Sequence, residues 1–210
     1  MKTILFDLDG TLTDSGEGII NCAWLALAHF DLPLPDKETM RVFVGPPLRD
    51  SFLRCGVPEE RIEKAIEIYR SRYVPTGMFE NTPYPGIKGM LAALKEKGHR
   101  LFVATSKPEG MATAILEKFQ LAPYFDLICG ASMDNTRDSK DKVIAKLVET
   151  TGGADDYIMV GDTAFDVKGA AVHGIPTIGV AWGYGKAEDM EAAGAKAIAH
   201  SPAQLLEMLL

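Results

Sequence analysis

The 210 residues are 47% hydrophobic and 24% charged, ordinary proportions for a folded globular chain and unlike a disordered or fibrous one. With 22 Lys and Arg against 29 Asp and Glu the net charge is −7, and no basic block stands out, which argues against a nucleic acid polymer as partner. Cys22, Cys55 and Cys129 are odd in number and far apart, with no Cys-x-x-Cys pair, so neither a disulfide framework nor a zinc site is expected and a reducing compartment fits.

The chain opens on a short apolar run, Met1 to Phe6, that Asp7 and Asp9 interrupt well before the roughly 7–15 apolar residues of a signal peptide. No later segment approaches the roughly 18 apolar residues of a membrane span. A cytoplasmic protein with no membrane partner is expected. Apolar runs at 3–8, 100–105, 125–129, 157–160 and 177–180 are each followed by a helical pattern, which predicts βα units and a parallel sheet covered on both faces. Ser106-Lys107-Pro108-Glu109 and Ser201-Pro202-Ala203-Gln204 have capping-box spacing with proline in the first turn, predicting a helix start at each.

From about Ser15 to Thr82 the alternation stops. Ile20, Trp24 and Leu27, then Ile62, Ile66, Tyr69 and Tyr73, recur at helical spacing, and no strand pattern is present. An inserted helical subdomain is expected, with Gly16 and Gly18 on one side and Pro83, Pro85 and Gly86 on the other as the composition of two hinge strands.

Ligands of an open parallel sheet collect at the carboxyl ends of its strands, and here those ends are acidic. The first run ends in Asp7-Leu8-Asp9-Gly10-Thr11, the second in Thr105-Ser106-Lys107, the fourth in Gly161-Asp162-Thr163-Ala164-Phe165-Asp166. If the strands are neighbours, Asp7, Asp9, Asp162 and Asp166 converge. Carboxylates that close raise one another's pKa unless a cation compensates, and their hard oxygens suit Mg²⁺.

Taken in order, Phe6-Asp7-Leu8-Asp9-Gly10-Thr11, Thr105, a lysine at a helix start and Gly161-Asp162-x-x-x-Asp166 resemble the four motifs of haloacid dehalogenase-type phosphatases. The resemblance runs the length of the chain, including the insert after the first strand. It implies an α/β fold with a doubly wound, Rossmann-like parallel sheet as core (1–14 and 83–210) and a small all-helical cap (15–82). It further implies that Asp7 is the nucleophile, forming an aspartyl-phosphate, and that Asp9 is general acid and base. Asp7, the backbone carbonyl of Asp9 and Asp162 would hold Mg²⁺, with Asp166 supporting the metal shell or the lysine. Thr105 and the lysine would cradle the phosphoryl oxygens.

Lys140 is the favoured lysine because it stands at a helix start, where the dipole disfavours a cation and a compensating reason is needed; Lys107 is a secondary contact. Gly10, Thr11, Ser106 and Arg49 are the remaining candidates for substrate contact. Gly10 also reads as a turn residue, Ser106 and Thr163 as helix caps, and Arg49 as a surface residue beside Val44-Gly45-Pro46-Pro47. Residues 75–82 are a candidate second lip. The histidines His29, His99, His173 and His200 show no metal spacing. Gly130-Ala131-Ser132-Met133-Asp134 and Gly183-Tyr184-Gly185-Lys186 fall short of the serine-hydrolase and phosphate-loop patterns and read as turns.

Gly45-Pro46-Pro47 and Trp182-Gly183-Tyr184-Gly185 look like the phosphoglycolate phosphatase branch. The stretch 130–140, with Asn135 in place of a glycine, is similar to bacterial 5′-nucleotidase-like members. The expected partner is therefore a small phosphate ester, a nucleoside monophosphate first and phosphoglycolate second. A phosphomutase, a phospho-accepting signalling domain and a noncatalytic binding module remain as other classes, a dehalogenase is disfavoured by Asp9, and the oligomeric state is open.

Overall fold

The computed structural model describes residues 1–134, 136–153 and 156–210; Asn135 lies outside the described residues. Six parallel strands form the central sheet: β1 (Thr3–Phe6), β4 (Arg100–Pro108), β5 (Leu127–Ala131), β6 (Tyr157–Gly161), β7 (Thr177–Val180) and β8 (Ala197–Ala199), in the order β5-β4-β1-β6-β7-β8. The side chains alternate as the two-residue period of a strand requires. Ile4, Phe6, Leu101, Val103, Ile158 and Val160 pack on one face with Leu91 and Leu94 of α4 (Ile87–Glu96), Ile115 and Leu116 of α5 (Glu109–Lys118), and Leu205 and Leu209 of α9 (Pro202–Leu209). Leu5, Phe102, Ala104 and Met159 face the other way, onto Val143, Ile144 and Leu147 of α6 (Lys140–Thr151) and Ala170 of α7 (Ala164–Ala171). The fold is thus a doubly wound, Rossmann-like α/β sheet with apolar cores on both sides. Because β1 sits between β4 and β6, the ends of the first, second and fourth expected strands are direct neighbours.

Several boundaries differ from the sequence expectation, each for a local reason. β1 ends at Phe6 rather than Leu8, because the Leu8 carbonyl accepts the amides of Thr11, Leu12 and Thr13 and folds the chain into a tight turn. β5 starts at Leu127 rather than Phe125, because the Asp126 carboxylate takes the Leu101 amide (2.9 Å) just ahead of the ladder. β4 continues through Pro108, so α5 opens at Glu109 with Pro108 before it and Ser106 is a strand residue, not a helix cap. The second expected cap is present: the Ser201 hydroxyl accepts the Gln204 amide (3.1 Å) at the start of α9. β8 was unexpected; its Ala-Ile-Ala sequence is too short for a period to show.

Between β2 (Thr13–Asp14) and β3 (Thr82–Pro83), which pair antiparallel, the chain runs through α1 (Gly16–His29), α2 (Leu48–Arg54), α3 (Ile62–Tyr73) and short 3-10 turns. Phe43, Phe52, Tyr69 and Tyr73 form a continuous aromatic ladder with centroid separations of 5.1, 6.3 and 5.1 Å. Each such pair adds about 0.5–1.5 kcal/mol beyond its buried area, so α3 is fixed in rotation with Tyr73 at its inner end. Gly16 and Gly18 lie within α1 rather than in a strand. Both are buried in α1, where a Cβ on Gly18 would lie 1.8 Å from the Gly77 carbonyl and one on Gly16 would lie 2.9 Å from the Tyr184 hydroxyl. They permit close packing. Among the described residues no helix is long and apolar enough to cross a membrane.

Candidate active site

The turn after β1 and the loop after β6 bring Asp7, Asp162 and Asp166 together. All three are buried, and one carboxylate oxygen of each lies within 4.8 Å of those of the other two. The turn requires Gly10, whose φ is +83° and where a Cβ would sit 2.2 Å from Asp162 Oδ2; no L side chain fits. Asp162 Oδ2 accepts the Tyr184 amide (2.8 Å) and Oδ1 faces the Thr11 hydroxyl at 3.3 Å. Asp166 Oδ2 accepts the amide and hydroxyl of Thr163 (3.0 and 2.8 Å), the residue before α7.

Lys140, first residue of α6, lies buried with Nζ 2.8 Å from Asp7 Oδ1, 2.7 Å from Asp166 Oδ1 and 2.9 Å from the Ala104 carbonyl. Its ammonium is placed against the helix dipole by these two carboxylates. Burial pulls the Lys140 pKa down, and the charges of Asp166 and Asp7 more than offset this, so it is raised and the group stays charged. For Asp7, burial dominates over the Lys140 charge and lifts the carboxyl to about 6. Burial, with Asp166 and Asp7 beside it, pushes Asp162 well up. Three buried carboxyls thus lie beside one ammonium, which pairs with two of them. The excess negative charge and the all-oxygen donor set fit a hard divalent cation.

Asp9 points elsewhere. Its side chain is outside that cluster and pairs through Oδ2 with Lys107 Nζ at 2.9 Å. Lys107 also donates to the Tyr73 hydroxyl, reaching from the end of β4 to the helical segment. Burial lowers the Lys107 pKa, but Asp9 and Tyr73 raise it further. The Thr105 hydroxyl accepts the Lys107 amide (3.2 Å).

A cavity of about 580 Å³ opens over these groups between the sheet and the helical segment. Asp7, Asp9, Thr105, Ser106 and Lys107 line it from the sheet side; Ile19, Phe43, Tyr69, Tyr73 and the Gly45-Pro46-Pro47 turn face them. Arg49 also lines it, held by Glu59 (2.5 Å) and close to Glu63 (4.0 Å). Gly10 and Thr11 do not line the cavity. Nor do residues 75–82, the expected second lip: the Gly77–Phe79 turn packs on α1.

Two groups that sequence reasoning passed over take part. Gly183-Tyr184-Gly185 is more than a turn. A Cβ on Gly183 would meet the Asp162 side chain at 2.3 Å and one on Gly185 the Asp162 carbonyl at 2.1 Å, so this loop is the cradle of Asp162. Arg41 of the helical segment donates to the Gly183 carbonyl (3.1 Å). Tyr73 is the other, read from the sequence only as a core position of α3; its hydroxyl gave no periodic signal.

The family model described as haloacid dehalogenase-like hydrolase matches residues 4–180. The chain belongs to that family. This haloacid dehalogenase-like hydrolase is 41% identical over 201 residues to the tyrosine-protein kinase PtkA of Mycobacterium tuberculosis, covering 95% of this chain and 69% of the relative. To a 5′-nucleotidase of Pseudomonas aeruginosa it is 40% identical over 191 residues, 90% of this chain and 86% of the relative. The crystal structure of a predicted phosphatase from Clostridium acetobutylicum superposes with a TM-score of 0.95 at 43% identity, over 99% of this chain and 97% of that one. The hydrolase thus has both phosphatases and a protein kinase among its relatives.

Proposed function

We propose that the protein is a phosphomonoesterase that hydrolyses nucleoside 5′-monophosphates through an aspartyl-phosphate on Asp7, with residues 15–82 serving as a cap over the site. The observation that carries this reading is Asp7 itself, a buried carboxylate paired with Lys140 that lines the floor of a cavity of about 580 Å³, with Asp9 beside it. A carboxylate oxygen of Asp7 attacks phosphorus as the bond to the ester oxygen breaks, and the Asp9 carboxyl gives its proton to that leaving oxygen. Asp9, now ionised, takes a proton from water as the water oxygen attacks the phosphorus, and the Asp7 carboxylate departs. Lys140 and Thr105 supply fixed positive charge and a hydroxyl where the phosphoryl oxygens gather charge.

Mg²⁺ is the cation that the oxygen set fits, held by Asp7, Asp162 and the Asp9 backbone carbonyl with Asp166 in support; bound there, it would offset the negative charge of the phosphoryl group. The nucleotide assignment is supported by the 5′-nucleotidase relative. A cavity of this volume with Phe43, Tyr69 and Tyr73 on its wall also suits a ligand carrying an aromatic base.

The test is phosphate release, with and without Mg²⁺, from nucleoside monophosphates, phosphoglycolate, sugar phosphates and a phosphotyrosine peptide. Metal-dependent release that favours nucleotides is expected, and Asp7→Asn should lower it about a thousandfold or more. Preference for phosphoglycolate would keep the mechanism and change the substrate. Isomerised ester without released phosphate would mean a mutase, and ATP-dependent labelling of tyrosine a kinase.

A further inference from the structure

Of the contacts that cross the cleft, one ends on the proposed acid. Lys107 is buried and has two partners: Asp9 Oδ2 at 2.9 Å on the sheet side and the Tyr73 hydroxyl on α3. Its ammonium also lies 4.8 Å from the centroid of the Tyr73 ring. The other Asp9 oxygen, Oδ1, is buried and has no hydrogen-bond partner among the described residues.

We propose that Tyr73 is a positioning residue: through Lys107, which tethers Oδ2, it holds the Asp9 carboxyl in one orientation for the proton transfer to the ester oxygen. The inference rests on the phosphomonoesterase reading and goes beyond it, because it ties the acid to the seating of the helical segment. Tyr73 cannot be moved alone. It stacks on Tyr69 at 5.1 Å with an interplanar angle of 21°, and Tyr69 packs edge-on against Phe52. The whole aromatic ladder of the segment therefore sets where the hydroxyl stands. When α3 is seated, Lys107 is held from both sides; with α3 withdrawn, the ammonium keeps only Asp9 and both side chains gain rotamers. Acid catalysis is then available only when the cavity is closed, where the leaving group is shielded from water.

The experiment compares Tyr73→Phe with the unaltered protein on two aryl esters: phenyl phosphate, whose leaving oxygen needs a proton, and p-nitrophenyl phosphate, whose phenolate leaves without one. The ratio of the two kcat/KM values reports the step in which the P–O bond breaks, and simple loss of packing or of substrate binding does not move it. Tyr73→Phe keeps the ring and its stacking, so the melting temperature serves as control. The expected result is a loss of kcat/KM for phenyl phosphate at least about tenfold larger than for p-nitrophenyl phosphate. Lys107→Gln should show the same preferential loss, and the double variant no further preference, as for residues acting in series. Equal losses on both esters, or none, in both variants would overturn the positioning role while leaving the phosphatase intact. Failure of the unaltered protein to release phosphate from either ester would overturn both readings.

Discussion

Each of the two buried lysines is held by carboxylates, and their partners assign them different work. Lys140 is enclosed by Asp7 and Asp166; without it two buried acids lose the cation that pairs with both. Lys140→Ala should therefore cost about 3–5 kcal/mol of stability in the metal-free protein and lower kcat about a hundredfold or more on every substrate. Lys107→Ala should lower kcat on p-nitrophenyl phosphate far less. Urea unfolding and steady-state kinetics on the two variants decide it, and equal mild effects would defeat the assignment. The choice of Lys140 was readable because a cation at a helix start violates a local preference. The partner of Lys107 was not readable: 34 residues separate it from Tyr73, and nothing local marks the pair.

The helical segment is tied down where it returns to the sheet. Arg72 of α3 makes a two-point ion pair with Glu80 (2.9 and 2.6 Å), and Asn21 of α1 adds a hydrogen bond to the same carboxylate (3.3 Å). The Arg72 hydrogen bonds hold Glu80 below its ordinary pKa of 4.5. A carboxyl depressed by folding contributes stability that is complete above its unfolded pKa and is lost as pH falls through the folded one. The unaltered protein should accordingly be more stable than Glu80→Gln above the ordinary glutamate pKa and lose that advantage as the pH falls below it; urea midpoints on both sides measure it, and a constant difference would show that the charge is not involved. The helices of this segment were legible from their 3.6-residue apolar spacing. The role of Gly18 was not, because its neighbour Gly77 is remote in sequence and the composition alone reads as a hinge.

For the molecule as a whole, the acidic cluster joins the turn after β1 to the loop after β6, and through Tyr184 to the loop after β7. A cation bound there links three segments and stabilises the folded state alone. Saturating Mg²⁺ should raise the melting temperature by about a few degrees, whereas matched NaCl should not, and Asp162→Asn should abolish the shift. An equal shift in that variant would place the cation elsewhere. The sequence by itself determined the alternation of strands and helices, the helical interruption and the acidic strand ends, because each depends on residues a few positions apart whose spacing follows backbone geometry. Only the tertiary structure decided that Asp9 turns from the acidic cluster toward Lys107, that Gly183 and Gly185 cradle Asp162, and that Tyr73 reaches across the cleft. Those facts depend on strand order and on close approach between distant segments, which no local pattern encodes.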